Sequence, residues 1–159
     1  MKVLLINGSR RKSGCTYTAL KEVADVLESE KISTEIIHVG IDAVNGSIDK
    51  AVKETAAMLD EVDGIVLGSP VYYASPSGEI QTFLDRLFYI HGDKLKHKPG
   101  AVVASARRAG TTAALDVLNK YGRGIDGLQK KSDHGRVRFC APVRLCAGSH
   151  SGDPVFFHL

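Results

Sequence analysis

Short apolar runs rich in Val and Ile alternate along the chain with longer stretches in which apolar residues recur every three or four positions. The runs KVLLIN, TEIIHV, DGIVLG and GAVVASA are each bounded by Gly, Asp or other polar residues, as buried parallel strands are. Between them, Leu20, Val23, Ala24 and Leu27 form one stripe, and Ile48, Val52, Ala56 and Leu59 form a second. A third holds Ile80, Phe83, Leu84, Leu87 and Phe88, again with the spacing of a helix laid on a sheet. A weaker helix is expected from Thr111 to Tyr121. Strands and helices in strict alternation, joined by right-handed crossovers, predict an α/β fold with a doubly wound parallel sheet. Ligands of such sheets sit beyond the strand C-termini, which singles out Asn7 to Thr16, Ser69 to Ser77 and Ser105 to Thr112.

Composition narrows the class. A chain of 159 residues with 43% hydrophobic content is expected to form a single domain over 1–159 with one site per subunit. No apolar run approaches the roughly 20 residues that cross a bilayer, and MKVLLINGSR lacks an extended signal-peptide core. The expectation is a soluble cytoplasmic protein. Cys15, Cys140 and Cys146 have no CxxC spacing, so neither a metal site nor a disulfide framework is expected. The net charge of +3 does not mark a nucleic-acid binder: up to Lys120 there are 15 basic and 15 acidic residues, and the excess lies in the last 39, with 6 against 3.

The segment NGSRRKSGCT leaves the first strand and enters the first helix, where free backbone N–H groups and a helix N-terminus converge. Ser9, Ser13 and Thr16 can add hydroxyl donors, and Arg10, Arg11 and Lys12 supply charge for a phosphate. The G-x-x-x-x-G-K-[ST] pattern fails here, since Gly14 is followed by Cys15 and Thr16, and no G-x-G-x-x-G opens the first helix, which disfavours a nucleoside triphosphatase or a plain dinucleotide fold. In GSPVYYASPSG, Pro70 and Pro76 enclose Tyr72 and Tyr73, a stiff loop suited to a flat heteroaromatic ring. In SARRAGTT, Arg107 and Arg108 offer positive charge to such a ring and Gly110 lets the backbone turn close to it. Asp85 and Arg86 read as residues that fix their helix or a subunit contact, and His91 and His97 as surface or packing residues.

These three loops, with FLDR (Phe83 to Arg86) and KHKPGAVVASARRAGTT, make the chain from Lys2 to Tyr121 resemble the NAD(P)H-dependent FMN reductases of the flavodoxin superfamily, near the iron-sulfur flavoproteins. The resemblance implies a flavodoxin-like sheet of order 2-1-3-4-5, FMN as cofactor, NADPH or NADH as reductant, and a homodimer or homotetramer. It implies a phosphate site at Ser9, Arg10, Ser13, Gly14, Cys15 and Thr16 and isoalloxazine contacts from Pro70, Val71, Tyr72, Tyr73 and Ser75. Further flavin contacts fall at Arg107, Arg108 and Gly110. Cys15 stands where the family often has Asn, which removes a side-chain amide donor and leaves a backbone N–H. A reactive thiol is a lesser reading of the same position.

Two departures from the family follow. Gly40 to Lys50 contains no cysteine where the iron-sulfur members carry a cluster, so flavin is expected as the sole redox centre. After Tyr121 the chain is rich in Gly and Arg, has no Glu and shows no helical stripe. Two readings stay open: a replaced or frame-shifted terminus that leaves the fourth strand without its neighbour, or an edge strand at Arg136 to Cys140 followed by a loop that docks Phe156 and Phe157.

The function so implied is hydride transfer from nicotinamide to flavin N5, with electrons passed on to a quinone, a flavin or a nitroaromatic. The cofactor carries the chemistry, and no residue is required as a strong acid or base. The alternatives are an electron-transfer flavodoxin, which the neutral body disfavours, and a damaged paralogue with an altered terminus.

Overall fold

The structure, a computed structural model, describes residues 1–125 and two short segments, 143–145 and 155–158. Every strand expected between Lys2 and Ser105 forms: β1 (Lys2–Asn7), β2 (Ser33–His38), β3 (Gly64–Tyr72) and β5 (Gly100–Ser105), with a two-residue strand β4 (Ser75–Pro76) folded back on the end of β3. The helices are α1 (Cys15–Ser29), α2 (Gly40–Val44), α3 (Ile48–Met58), α4 (Gly78–His91) and α5 (Thr111–Ile125). Helix α2 is a short element that the hydrophobic pattern does not announce, and α5 runs past the expected end at Tyr121. No helix among the described residues is long and apolar enough to cross a membrane.

The strands lie in the order β2-β1-β3-β5, all parallel, which is the 2-1-3-4 order expected of the first four strands. Beside β5, where a parallel fifth strand was expected, lies β7 (Val155–His158), antiparallel to it and itself paired with β6 (Val143–Leu145). An antiparallel edge on a parallel sheet needs no crossover helix, so a segment without a helical stripe can supply it. Phe156 and Phe157 thus belong to a strand rather than a docked loop, and the fourth expected strand has its neighbour. The expected edge strand at Arg136 to Cys140 lies outside the described residues.

Period-2 alternation along the parallel strands explains why they read as continuous apolar runs. Leu4, Ile6, Ile65, Leu67, Val102 and Ala104 face one core with residues of α3, α4 and α5. Val3, Leu5, Val66 and Val103 face the other with Ala19, Leu20 and Ala24 of α1. Helices therefore cover both faces, and the sheet is buried on both. This packing fixes where β1, β3 and β5 end, and all three end on the same side.

Candidate functional site

The turn after β1 is built by the side chain of Asn7. Its Oδ1 accepts from the Ser9 N–H at 2.9 Å while its Nδ2 meets Nδ1 of His38, at the end of the neighbouring strand, at 3.1 Å. Gly8 N–H donates to the Gly68 carbonyl at 2.8 Å, and the Ser77 hydroxyl donates to the Gly8 carbonyl at 2.9 Å. The same Ser77 oxygen caps α4 by accepting from the Ile80 N–H. Beyond this anchor, the Arg11 N–H donates to Ser9 Oγ at 3.1 Å, leaving the Ser9 hydroxyl proton to be given elsewhere.

Helix α1 then begins without help. Its N-cap is Gly14, no side chain caps it and its first turn carries no acid, so its leading N–H groups are open to an anion. The Thr16 hydroxyl is engaged within the protein, bonded to Ser105 Oγ at 2.7 Å, which ties the first turn of α1 to the end of β5.

These elements border a cleft of about 740 Å³, within the range of pockets that take cofactors. The first loop and the start of α1 line it with Ser9, Arg11, Ser13, Gly14, Cys15 and Thr16, and the loops after β3 and β5 with Pro70, Val71, Tyr72 and Arg107. The described lining contains no carboxylate and no imidazole. A cationic, N–H-rich end joined to an aromatic wall suits a ligand with a phosphate at one end and a flat ring at the other.

The aromatic wall is a strained hairpin. Val71 pairs with Pro76 and Tyr72 with Ser75, leaving Tyr73 and Ala74 as a two-residue turn with φ of 50° and 58°. Positive φ at both central positions is what a type I′ turn needs, and it normally falls to Asn and Gly. Tyr72 is half exposed and the Tyr73 side chain stands wholly in solvent. Opposite, Gly110 has φ of 95°, and a Cβ there would lie 2.7 Å from Ala74 Cα. The second and third loops are therefore in contact, and glycine is required at that contact.

Of the expected site residues, Ser9, Ser13, Gly14, Cys15, Thr16, Pro70, Val71, Tyr72 and Arg107 come together around the cleft. Tyr73, Ser75, Arg108 and Gly110 lie outside its lining, in the loops that shape it. Arg10 turns away: its guanidinium pairs with Glu79 on α4, across a separate groove that also holds Asp49 and Arg86. Burial pushes the Glu79 carboxyl up, but its own backbone N–H, Arg10 and Ser77 outweigh that and hold it below the usual carboxylate range. Asp85 accepts from the Tyr121 hydroxyl and Arg86 pairs with Asp49, so both fix helices, in keeping with the reading made from sequence. Burial, with Asp85 adding to it, pushes the Tyr121 hydroxyl well above its ordinary value.

Two supporting residues, His38 and Gly40, and the part played by the Asn7 side chain escape a sequence reading. His38 and Asn7 are brought together by parallel register, and the signal was their equivalent places at the ends of adjacent strands. Gly40 opens α2 against the loop, where a Cβ would lie 2.4 Å from the Ser9 carbonyl oxygen. Its signal was a glycine directly after a strand and valine, in a segment noticed only for its lack of cysteine.

The sequence pattern of the family described as NADPH-dependent FMN reductase matches residues 1–132. The chain belongs to this family. Among characterised proteins, it is 31% identical over 132 residues to an NADPH azoreductase of Bacillus sp. (strain OY1-2), covering 80% of this chain and 70% of that one. It is 29% identical over 137 residues to an iron-sulfur flavoprotein of Methanocaldococcus jannaschii, covering 76% of this chain and 71% of that protein. Its structure resembles an NADH:FMN oxidoreductase in its apo form, with a TM-score of 0.63 and 25% identity over 78% of this chain and 68% of the other. An archaeal flavodoxin shares the fold, with a TM-score of 0.58 and 20% identity over 79% and 75% of the two chains. As a member of the FMN reductases, the chain is an NAD(P)H-dependent flavin oxidoreductase whose cofactor is FMN. Family membership thus selects the reductase over the electron carrier.

Proposed function

We propose that the cleft between the Ser9–Thr16 loop and the Tyr72 hairpin is the FMN site. Its phosphate end would be held by the first N–H groups of α1, the hydroxyls of Ser9 and Ser13 and the side chain of Arg11, and its ring end by Pro70, Val71 and Tyr72. The residues fit the group: donors and positive charge without any acid at one end, an aromatic and proline wall at the other. One observation carries the reading: the uncapped start of α1 opens into the cleft that Tyr72 borders.

FMN supplies the hydride-accepting and electron-donating chemistry when bound. The protein's part is to orient the ring through the hairpin, to place Arg107 near developing negative charge, and to anchor the phosphate so that the ring cannot slide. Thr16 acts chiefly through its backbone N–H, because its hydroxyl is shared with Ser105. Cys15 contributes its backbone N–H in the same turn. Tyr73, Ser75, Arg108 and Gly110 shape and border the opening, and Arg10 serves by fixing the loop to α4.

The second substrates are NADPH or NADH followed by a small aromatic acceptor, such as a quinone, a free flavin, a nitroaromatic or, by analogy with the azoreductase relative, an aromatic azo compound. We place the enzyme in the cytoplasm as a homodimer or homotetramer built of single flavodoxin-like domains. The test is anaerobic: the purified, FMN-loaded protein is mixed with NADPH and with NADH, and flavin absorbance is followed before and after adding each acceptor. Rapid bleaching and re-oxidation support the proposal. Bound flavin that stays oxidised with both nucleotides overturns it.

A further inference from the structure

We infer that His38 is a positioning residue of the FMN site, holding the phosphate loop through Asn7 only while its ring is neutral, so that acid weakens FMN binding. The inference rests on the reading of Ser9–Thr16 as the phosphate loop.

The argument begins at a buried amide. Asn7 is fully buried, and the Ser9 N–H against it can only donate, so the atom it faces must be Oδ1. The other end of the amide is then NH₂, which also only donates. It meets His38 Nδ1 at 3.1 Å, so that nitrogen must be the acceptor. The ring is therefore neutral, with its proton on Nε2.

Protonation places an N–H on Nδ1 facing the NH₂ of Asn7, two donors with no acceptor between them. Rotating the amide satisfies the imidazolium but turns NH₂ toward the Ser9 N–H, leaving a buried donor without a partner. Either outcome loosens the turn that places the Ser9 hydroxyl and, through it, the Arg11 N–H. The groups facing the ring are Asn7 of β1, Tyr17 of α1, stacked with a centroid separation of 5.6 Å, and the Lys12 ammonium in the loop itself. Burial first, and then the Lys12 charge, hold the imidazole below its ordinary value of 6.5. The ring is half-buried on the outermost parallel strand, so a proton can reach it from solvent.

The discriminating variant is His38→Asn. The Asn oxygen stands at the same distance along the side chain as Nδ1, so it can accept from Asn7 and does not titrate in this range. FMN dissociation constants would be measured by flavin fluorescence quenching from pH 7.5 to 5.0 for both proteins, with riboflavin as a phosphate-free probe at pH 7.5. The titration of the FMN phosphate is common to both proteins and cancels in the comparison. The wild-type protein is expected to lose about tenfold more affinity than the variant over this range, as one unsatisfied buried group would cause. Parallel profiles overturn the inference while leaving the phosphate site standing. FMN binding no tighter than riboflavin at pH 7.5 overturns the phosphate site and the inference with it. Independently of whether the variant folds, ¹⁵N chemical shifts of the wild-type imidazole at pH 7.5 are expected to show Nδ1 unprotonated, and a proton on Nδ1 overturns the inference.

Discussion

The hydroxyls of Thr16 and Ser105 meet at 2.7 Å in the protein interior, joining the first turn of α1 to the end of β5 across 89 residues of sequence. Removing one partner leaves the other with an unmet polar group. Ser105→Ala is expected to cost about 1 kcal/mol of stability in urea denaturation. It should also reduce FMN affinity more than riboflavin affinity, since the bond acts on the phosphate end. An unchanged urea midpoint would remove this bond from the account.

The Tyr73–Ala74 turn holds two ordinary residues at positive φ. Left-handed backbone strains an alanine by about 1–2 kcal/mol, and glycine returns part of the relief as unfolded-state entropy. Ala74→Gly is therefore expected to raise stability by about 0.5–1 kcal/mol. Denaturation of the two proteins side by side checks this, and a loss of stability would mean that the alanine methyl packs usefully against Gly110.

Arg10 and Arg11 are neighbours with opposite assignments. Arg11→Ala is expected to weaken FMN about tenfold, the lower end for a charge-assisted hydrogen bond at an exposed side chain. Arg10→Ala should leave FMN affinity within about twofold, because its guanidinium is committed to Glu79 outside the cleft. Equilibrium binding of the two variants decides this, and a reversed order would place Arg10 in the site.

The Arg10–Glu79 pair also makes a pH prediction. The Glu79 carboxyl lies lower in the folded protein than its ordinary 4.5, so the unfolded chain binds more protons as pH falls below that value. Its stabilising contribution is complete above about pH 4.5 and is lost as pH drops through the folded value. Arg10→Ala should flatten this acid-side decline in urea midpoints measured between pH 6 and 3.5. An identical decline in both proteins would deny the pair a role.

The parallel sheet and its flanking helices are legible in the sequence because burial on both faces leaves continuous apolar runs, and a helix on a sheet must repeat every three or four residues. The KVLLIN run coincides with β1, and all four residues of the Ile48 stripe are buried. The cleft's location is legible for the same reason, since strand ends are fixed by strand identity. Side-chain direction is not. Arg10 and Arg11 look alike in NGSRRKSGCT, and only the position of Glu79 on α4 separates them. The Asn7–His38 contact and the close approach of Gly40 to Ser9 depend on register and packing between segments some 30 residues apart, so the strand-end places of Asn7 and His38 and the glycine after β2 become meaningful only once the strands are paired. The antiparallel β7 escaped because β-strand pairing at a sheet edge depends on where the chain returns rather than on its periodicity.

The central claim, that the start of α1 holds the phosphate of FMN, is tested most directly by titrating the flavin-free protein with FMN and with riboflavin in parallel calorimetric experiments at pH 7.5. FMN is expected to bind at least about tenfold more tightly, since more than one charge-assisted bond is gained with the phosphate. Equal affinities for the two flavins would contradict the account.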